Sequence, residues 1–265
     1  MNNTFDFRRF SMLLKKHTVE NYKAYLMSAV VLAGIIAVLM LYITLLSGHG
    51  MKEDAQVTMF TIFLMLGGMI FTSMIFSDFS NKKKSINQLT LPVSVTERYA
   101  VAWLYSYVGY QVLYFITYYL VVSFIFKFVN PVVFSSHPGD GAGWIFKTYF
   151  DSVVNPIFWA YTILHSITFF GALFFKKYHF IKTSLALLGF IVLVVLVDRI
   201  MLNSFISEDV LTELPFSGLE VKSKTNGFYF IKASEFVRSI VGYSSIVGVL
   251  LLWTGAFYRL KEQEV

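Results

Sequence analysis

Residues 25–46 read YLMSAVVLAGIIAVLMLYITLL, 22 positions without a charged side chain. A helix needs about 20 apolar residues to cross the hydrocarbon core of a bilayer, and this run supplies them. Within it Ala29, Ala33 and Ala37 recur every fourth position. Such a ladder of small residues lets two helices approach closely, either within one subunit or between two copies of the chain, so these alanines are dimer-contact candidates.

Outward from that run, five more segments pass the same test: residues 57–76, 99–126, 153–175, 183–202 and 240–257. Pro156 falls in the first turn of the fourth, where its missing N–H costs little. The sixth is expected to open a turn earlier, with Arg238 extending its charge toward the headgroups. The expected architecture is therefore an all-α integral membrane protein, residues 1–265 forming one transmembrane domain of six helices. Composition agrees. Hydrophobic residues make up 56% of the chain and charged ones 14%, against about a quarter charged in a soluble domain. Mean hydropathy is +0.63.

Charge placement sets the orientation. With the N-terminus inside, the inner segments hold fourteen of the 22 basic residues and six of the 16 acidic ones. The inner side is then net positive and the outer side net negative, as short loops at a membrane require. Both termini are expected in the cytoplasm. The net charge of +6 does not form one basic face, which excludes a nucleic-acid partner. The absence of cysteine excludes disulfides, thiolate metal sites and a cysteine nucleophile.

Residues 1–24 carry Arg8, Arg9, Lys15, Lys16 and Lys23, and no small-x-small cleavage site directly follows the first apolar run. That run is read as a retained span. On a helical wheel Phe7, Phe10, Leu13 and Leu14 share one sector, with the basic residues opposite. This pattern suits a helix lying in the inner headgroup layer. Of the two long outer loops, 127–152 and 203–237, the second alternates over residues 219–231 and contains Asn226-Gly227, a hairpin signal.

The inner link between the second and third spans, residues 78–98, is the most informative segment. It contains Lys82, Lys83, Lys84 and Gln88, then LTLPVSVTER from Leu89 to Arg98. Ser94 and Glu97 form an S-x-x-E capping box, which starts a helix near Ser94. Pro92 disfavours helix at Leu91 and separates this helix from what precedes it. The expected product is a capped, proline-bounded elbow in the cytoplasm.

An amphipathic basic N-terminal helix, six spans and LTLPVSVTER between spans two and three resemble the permease subunits of type-two ATP-binding-cassette exporters. The resemblance implies that residues Lys82, Lys83, Lys84, Gln88, Leu91, Pro92, Ser94, Glu97 and Arg98 couple the permease to an ATPase. It further implies a second copy of the chain, or a related permease, as partner, and the bacterial cytoplasmic membrane as location. The chain has no G-x-x-x-x-G-K-[ST] segment. Gly139, Gly141 and Gly143 belong to an outer loop rather than to a strand-to-helix phosphate site. ATP and Mg²⁺ are therefore expected on a separate ATPase subunit, with no cofactor on this chain.

The third span carries an aromatic stripe. Trp103, Tyr107, Tyr110, Tyr114 and Tyr118 fall within about 80° of one face at about 100° per residue, with Gln111 at the border. Interfacial belts place such rings only at span ends. The stripe is either the wall of a pathway for an amphipathic substrate or a packing face whose hydroxyls bond neighbouring helices. His165, near mid-span, is read as a hydrogen-bonded packing residue. Asp198 and Arg199 are adjacent and do not face each other on a helix.

Enzymes of the bilayer need paired carboxylates, a histidine-rich metal site or an activated nucleophile. The five histidines lack ligand spacing, and no H-E-x-x-H, D-D-x-x-D or G-x-S-x-G occurs. No metal site or catalytic residue is expected. The sequence reading is a transport subunit, with an ATP-independent carrier or a membrane scaffold as the alternative. A carrier is expected to show inverted repeats with broken helices, and the sequence has none.

Overall fold

The computed structural model describes residues 5–47, 53–75, 93–128, 155–175, 178–205, 209–214, 218–222, 228–232 and 234–262. Six helices among them are long and apolar enough to cross a membrane. The chain is a multi-pass membrane protein whose spanning part is helical.

The first helix, α1, runs unbroken from Phe7 to Ser47. At 1.5 Å per residue it is about 60 Å long, twice the hydrocarbon thickness. The expected change of element near residue 24 is absent. The reason lies in one continuous stripe, spaced three and four residues apart, that runs through Leu14, His17, Asn21, Tyr25, Ile36 and Met40 and is less exposed than its flanks. The amphipathic N-terminal stretch therefore rests against the third span: the Tyr105 hydroxyl donates to the Leu14 carbonyl at 3.3 Å. The His17 and Tyr105 rings lie 4.5 Å apart. Phe7 remains outside this contact, 74% exposed.

Helix α2 spans Glu53–Ile75. The third span is built from three consecutive pieces, α3 (Val95–Trp103), a π-helical turn (Leu104–Gly109) and α4 (Tyr110–Phe128). α3 begins where the S-x-x-E pattern places it. Ser94 is the N-cap, its hydroxyl accepting from the Glu97 N–H at 3.3 Å, while the Glu97 carboxylate accepts from the Ser94 N–H at 3.0 Å. These two bonds satisfy donors that the first helical turn cannot pair internally. The remaining spans are α5 (Asn155–Phe174), α6 (His179–Phe205) and α7 (Glu235–Glu262).

Two apolar clusters hold the spans together. Ile36, Met40, Phe60, Leu64, Tyr110, Tyr114, Tyr118 and Tyr161 join α1, α2, α4 and α5. Ala102, Phe169, Ala172, Leu173, Ala256 and Leu260 join α3, α5 and α7. α5 is thus the element shared by both. α6 sits at the edge, and its Leu185, Leu188, Phe190 and Leu193 are exposed. Apolar side chains on the outside of a spanning helix face lipid or another span.

Outside the spans lies a three-stranded antiparallel sheet, β1 (Asp209–Leu214), β2 (Gly218–Lys222) and β3 (Phe228–Lys232), in that order. β2 and β3 pair from Lys222 opposite Phe228 to Gly218 opposite Lys232. This is the hairpin that the alternation over residues 219–231 suggests, while Asn226 and Gly227 lie outside the described residues. β1 adds a strand with no counterpart in the sequence reading. The all-α description therefore holds for the spans and not for the loop between α6 and α7.

Candidate functional site

Three parts of the third span concentrate the polar chemistry. The first is its N-terminal end. Glu97 has no solvent exposure, so its carboxylate must be fully partnered or neutral. One oxygen, Oε2, accepts from the Ser94 N–H. The other, Oε1, accepts from the Asp6 N–H at 2.8 Å and from the Arg9 guanidinium at 3.1 Å. Asp6 and Arg9 open α1, ninety-one and eighty-eight residues earlier in the chain. Arg98 is also buried, 8% exposed. Lys82, Lys83, Lys84, Gln88, Leu91 and Pro92 lie outside the described residues; of the coupling candidates, the structure describes Ser94, Glu97 and Arg98.

The second part is the aromatic stripe, which packs against α2. The Tyr110 hydroxyl donates to the carbonyls of Phe63 and Leu64 at 3.0 and 3.2 Å. Tyr114 donates to Phe60 at 2.7 Å and Tyr118 to Gln56 at 3.0 Å. Tyrosines at every fourth position on α4 meet carbonyls at every fourth position on antiparallel α2. The three tyrosines are buried, and neighbouring rings stack 5.9 Å apart. Glycines admit the rings: a Cβ on Gly67 would overlap the Tyr110 hydroxyl, and one on Gly68 would overlap the Tyr161 ring. Gln111 is half-buried, and its amide nitrogen has no hydrogen-bond partner among the described residues.

The third part surrounds the π turn. A π turn shifts the hydrogen-bond ladder by one residue and is common at functional positions. Here Ser106 is held from α5: Tyr161 donates to its carbonyl at 3.3 Å, and His165 Nε2 lies 2.9 Å from its hydroxyl. His165 is 2% exposed, as a packing histidine should be, and its Nδ1 has no partner among the described residues. The Tyr107 and Thr162 hydroxyls bond each other at 2.8 Å. The Trp103 ring lies tilted against that of Tyr107 at 5.1 Å and meets Trp253 edge-on at 5.5 Å. Between α5 and α7 a groove of about 400 Å³ is lined by Tyr107, Phe158, Trp159, Thr162, Leu250 and Trp253.

Of the sequence candidates, the stripe is brought together and occupied by contacts within the chain. Ala29, Ala33 and Ala37 are half-buried, with Ala37 packed on the first apolar cluster of the same chain. The side of α1 carrying Val30, Val31, Ile35 and Val38 is the exposed one. Asp198 is half-buried and Arg199 exposed, both on α6. Asp6, Tyr105, Ser106 and Tyr161 were not singled out by the sequence, and Arg9 was read only as one of several basic residues. The chain matches no protein-family model, no curated protein and no solved structure.

Proposed function

We propose that this chain is the membrane-spanning subunit of an ATP-driven exporter of the type-two ATP-binding-cassette kind. It works with a separate ATPase subunit, which holds ATP and Mg²⁺, and with a second copy of itself or a related permease. Its place is the bacterial cytoplasmic membrane with both ends inside, and its cargo is amphipathic, moved by alternating access.

The observation that carries this reading is the capping box at Ser94 and Glu97, which closes the LTLPVSVTER segment. A loop can move a spanning helix only if the helix's first turn does not fray under load. The free N–H groups of an uncapped turn make it the weakest part of a helix. Here that turn is closed on both sides and its carboxylate is buried. A basic loop placed only by membrane charge asymmetry has no need of such an end. In this reading the stripe reaches cargo only when α2 and α4 separate, because three of its hydroxyls are held by α2 carbonyls in the present state.

Purification from native membranes under mild detergent tests the reading. An equimolar chain with a Walker A segment, and transport that needs ATP hydrolysis, are expected. Transport that continues without ATP, with no ATPase chain attached, would contradict it. Topology has a clean assay because the chain has no cysteine. A cysteine placed at Ser80 should label only from the inner side, and one at Ser217 only from the outer.

A further inference from the structure

We infer that Arg9 and Glu97 are positioning residues that tie the N-terminal part of α1 to the first turn of α3, so that the two move as one body. This rests on the exporter reading for its purpose, and on geometry for its existence. A capping box needs one carboxylate oxygen. In Glu97 that is Oε2, bonded to the Ser94 N–H. The second oxygen is free to do something else, and it takes the Asp6 N–H and the Arg9 guanidinium. Both donors come from the start of α1 and both are directed at a carboxylate that water does not reach.

A single clamp would still let α1 pivot. A second one lies eight residues along each helix, where the Tyr105 hydroxyl donates to the Leu14 carbonyl and also meets the Thr18 hydroxyl. Eight residues of helix are about 12 Å. Two fixed points about 12 Å apart on each partner stop sliding and rotation together. The same helix continues without a break to Ile36 and Met40 in the apolar core. A push on the first turn of α3 therefore reaches the first span directly, and does not have to pass through the π turn and α4.

The test uses the full chain with its ATPase in proteoliposomes, and the chain alone in nanodiscs. Arg9→Glu should leave ATP hydrolysis in place and lower transport per ATP at least about tenfold, the factor that corresponds to about 1.4 kcal/mol of lost coupling. Arg9→Lys should restore most of it. Glu97→Gln should lower it too while keeping the helix start, since glutamine also completes a capping box. In nanodiscs, hydrogen exchange in Arg9→Glu should quicken in residues 7–18 and in 93–98 together. Faster exchange in 7–18 alone, or transport per ATP unchanged in Arg9→Glu, would overturn the inference. Joint loosening of both segments in a protein that shows no ATP-dependent transport would retain the clamp and remove the exporter reading instead.

Discussion

The N-terminal end and the middle of the third span are both held by hydrogen bonds to another helix, yet they are built from opposite materials. At the N-terminal end a buried carboxylate gathers a guanidinium and two backbone N–H groups. In the middle, neutral phenols donate to carbonyls that already serve the α2 helix. Charge-assisted bonds are the stronger kind where a partner is lost, because an unpaired buried charge is costly. Phenol-to-carbonyl bonds between membrane helices are individually small, about 0.6 kcal/mol on average. The middle compensates with ring stacking and close approach through Gly67 and Gly68. One end is thus a clamp that depends on a single residue, and the other a zipper that spreads its stability over many.

Four substitutions would break or sharpen that contrast. The largest effect belongs to Gly68→Leu. Its side chain would occupy the space of the buried Tyr161 ring, and overpacking of this kind costs about 3 kcal/mol. Loss of monodisperse protein on size-exclusion chromatography is the expected result. Next is Glu97→Ala, which removes the carboxylate half of the capping box and the acceptor of the Asp6 and Ser94 N–H groups and of the Arg9 ion pair, about 2–3 kcal/mol. Its melting temperature should fall further than that of Glu97→Gln. Third is Tyr114→Phe, which forfeits the bond to Phe60 and should cost about 0.6 kcal/mol with assembly intact. Combined with Tyr110→Phe it should change transport; unchanged transport would reduce the stripe to packing alone. Smallest is Leu188→Ala on exposed α6, expected near zero because lipid replaces the lost contact. A marked drop in melting temperature there would identify α6 as a protein contact between copies.

Much of the fold was legible because a bilayer imposes one length on every span. The runs at 57–76, 99–126 and 153–175 match helices of the structure within a few residues at most ends. The start of α3 was legible because a capping box is local, with Ser94 and Glu97 three positions apart. The continuity of α1 was not. Its N-terminal stripe is equally suited to headgroups or to another helix, and only the partner at Tyr105 decides. The spacing of the tyrosines was readable, but their acceptors are the main-chain carbonyls of Gln56, Phe60 and Leu64, which carry no side-chain signature. The π turn has no composition of its own; Leu104 to Gly109 reads as ordinary span. The pairing of Glu97 with Asp6 and Arg9 joins positions about ninety residues apart, beyond any local pattern.

The central claim, that the inner elbow is where an ATPase grips this membrane domain, has one direct measurement. A photo-reactive residue placed at Gln88 in the full chain, in native membranes with ATP-driven transport running, reports what touches the loop. The account predicts a cross-link to a chain with a Walker A segment, lost when that chain is removed. Cross-links only to lipid or to this same chain, with ATP-dependent transport intact, would contradict it.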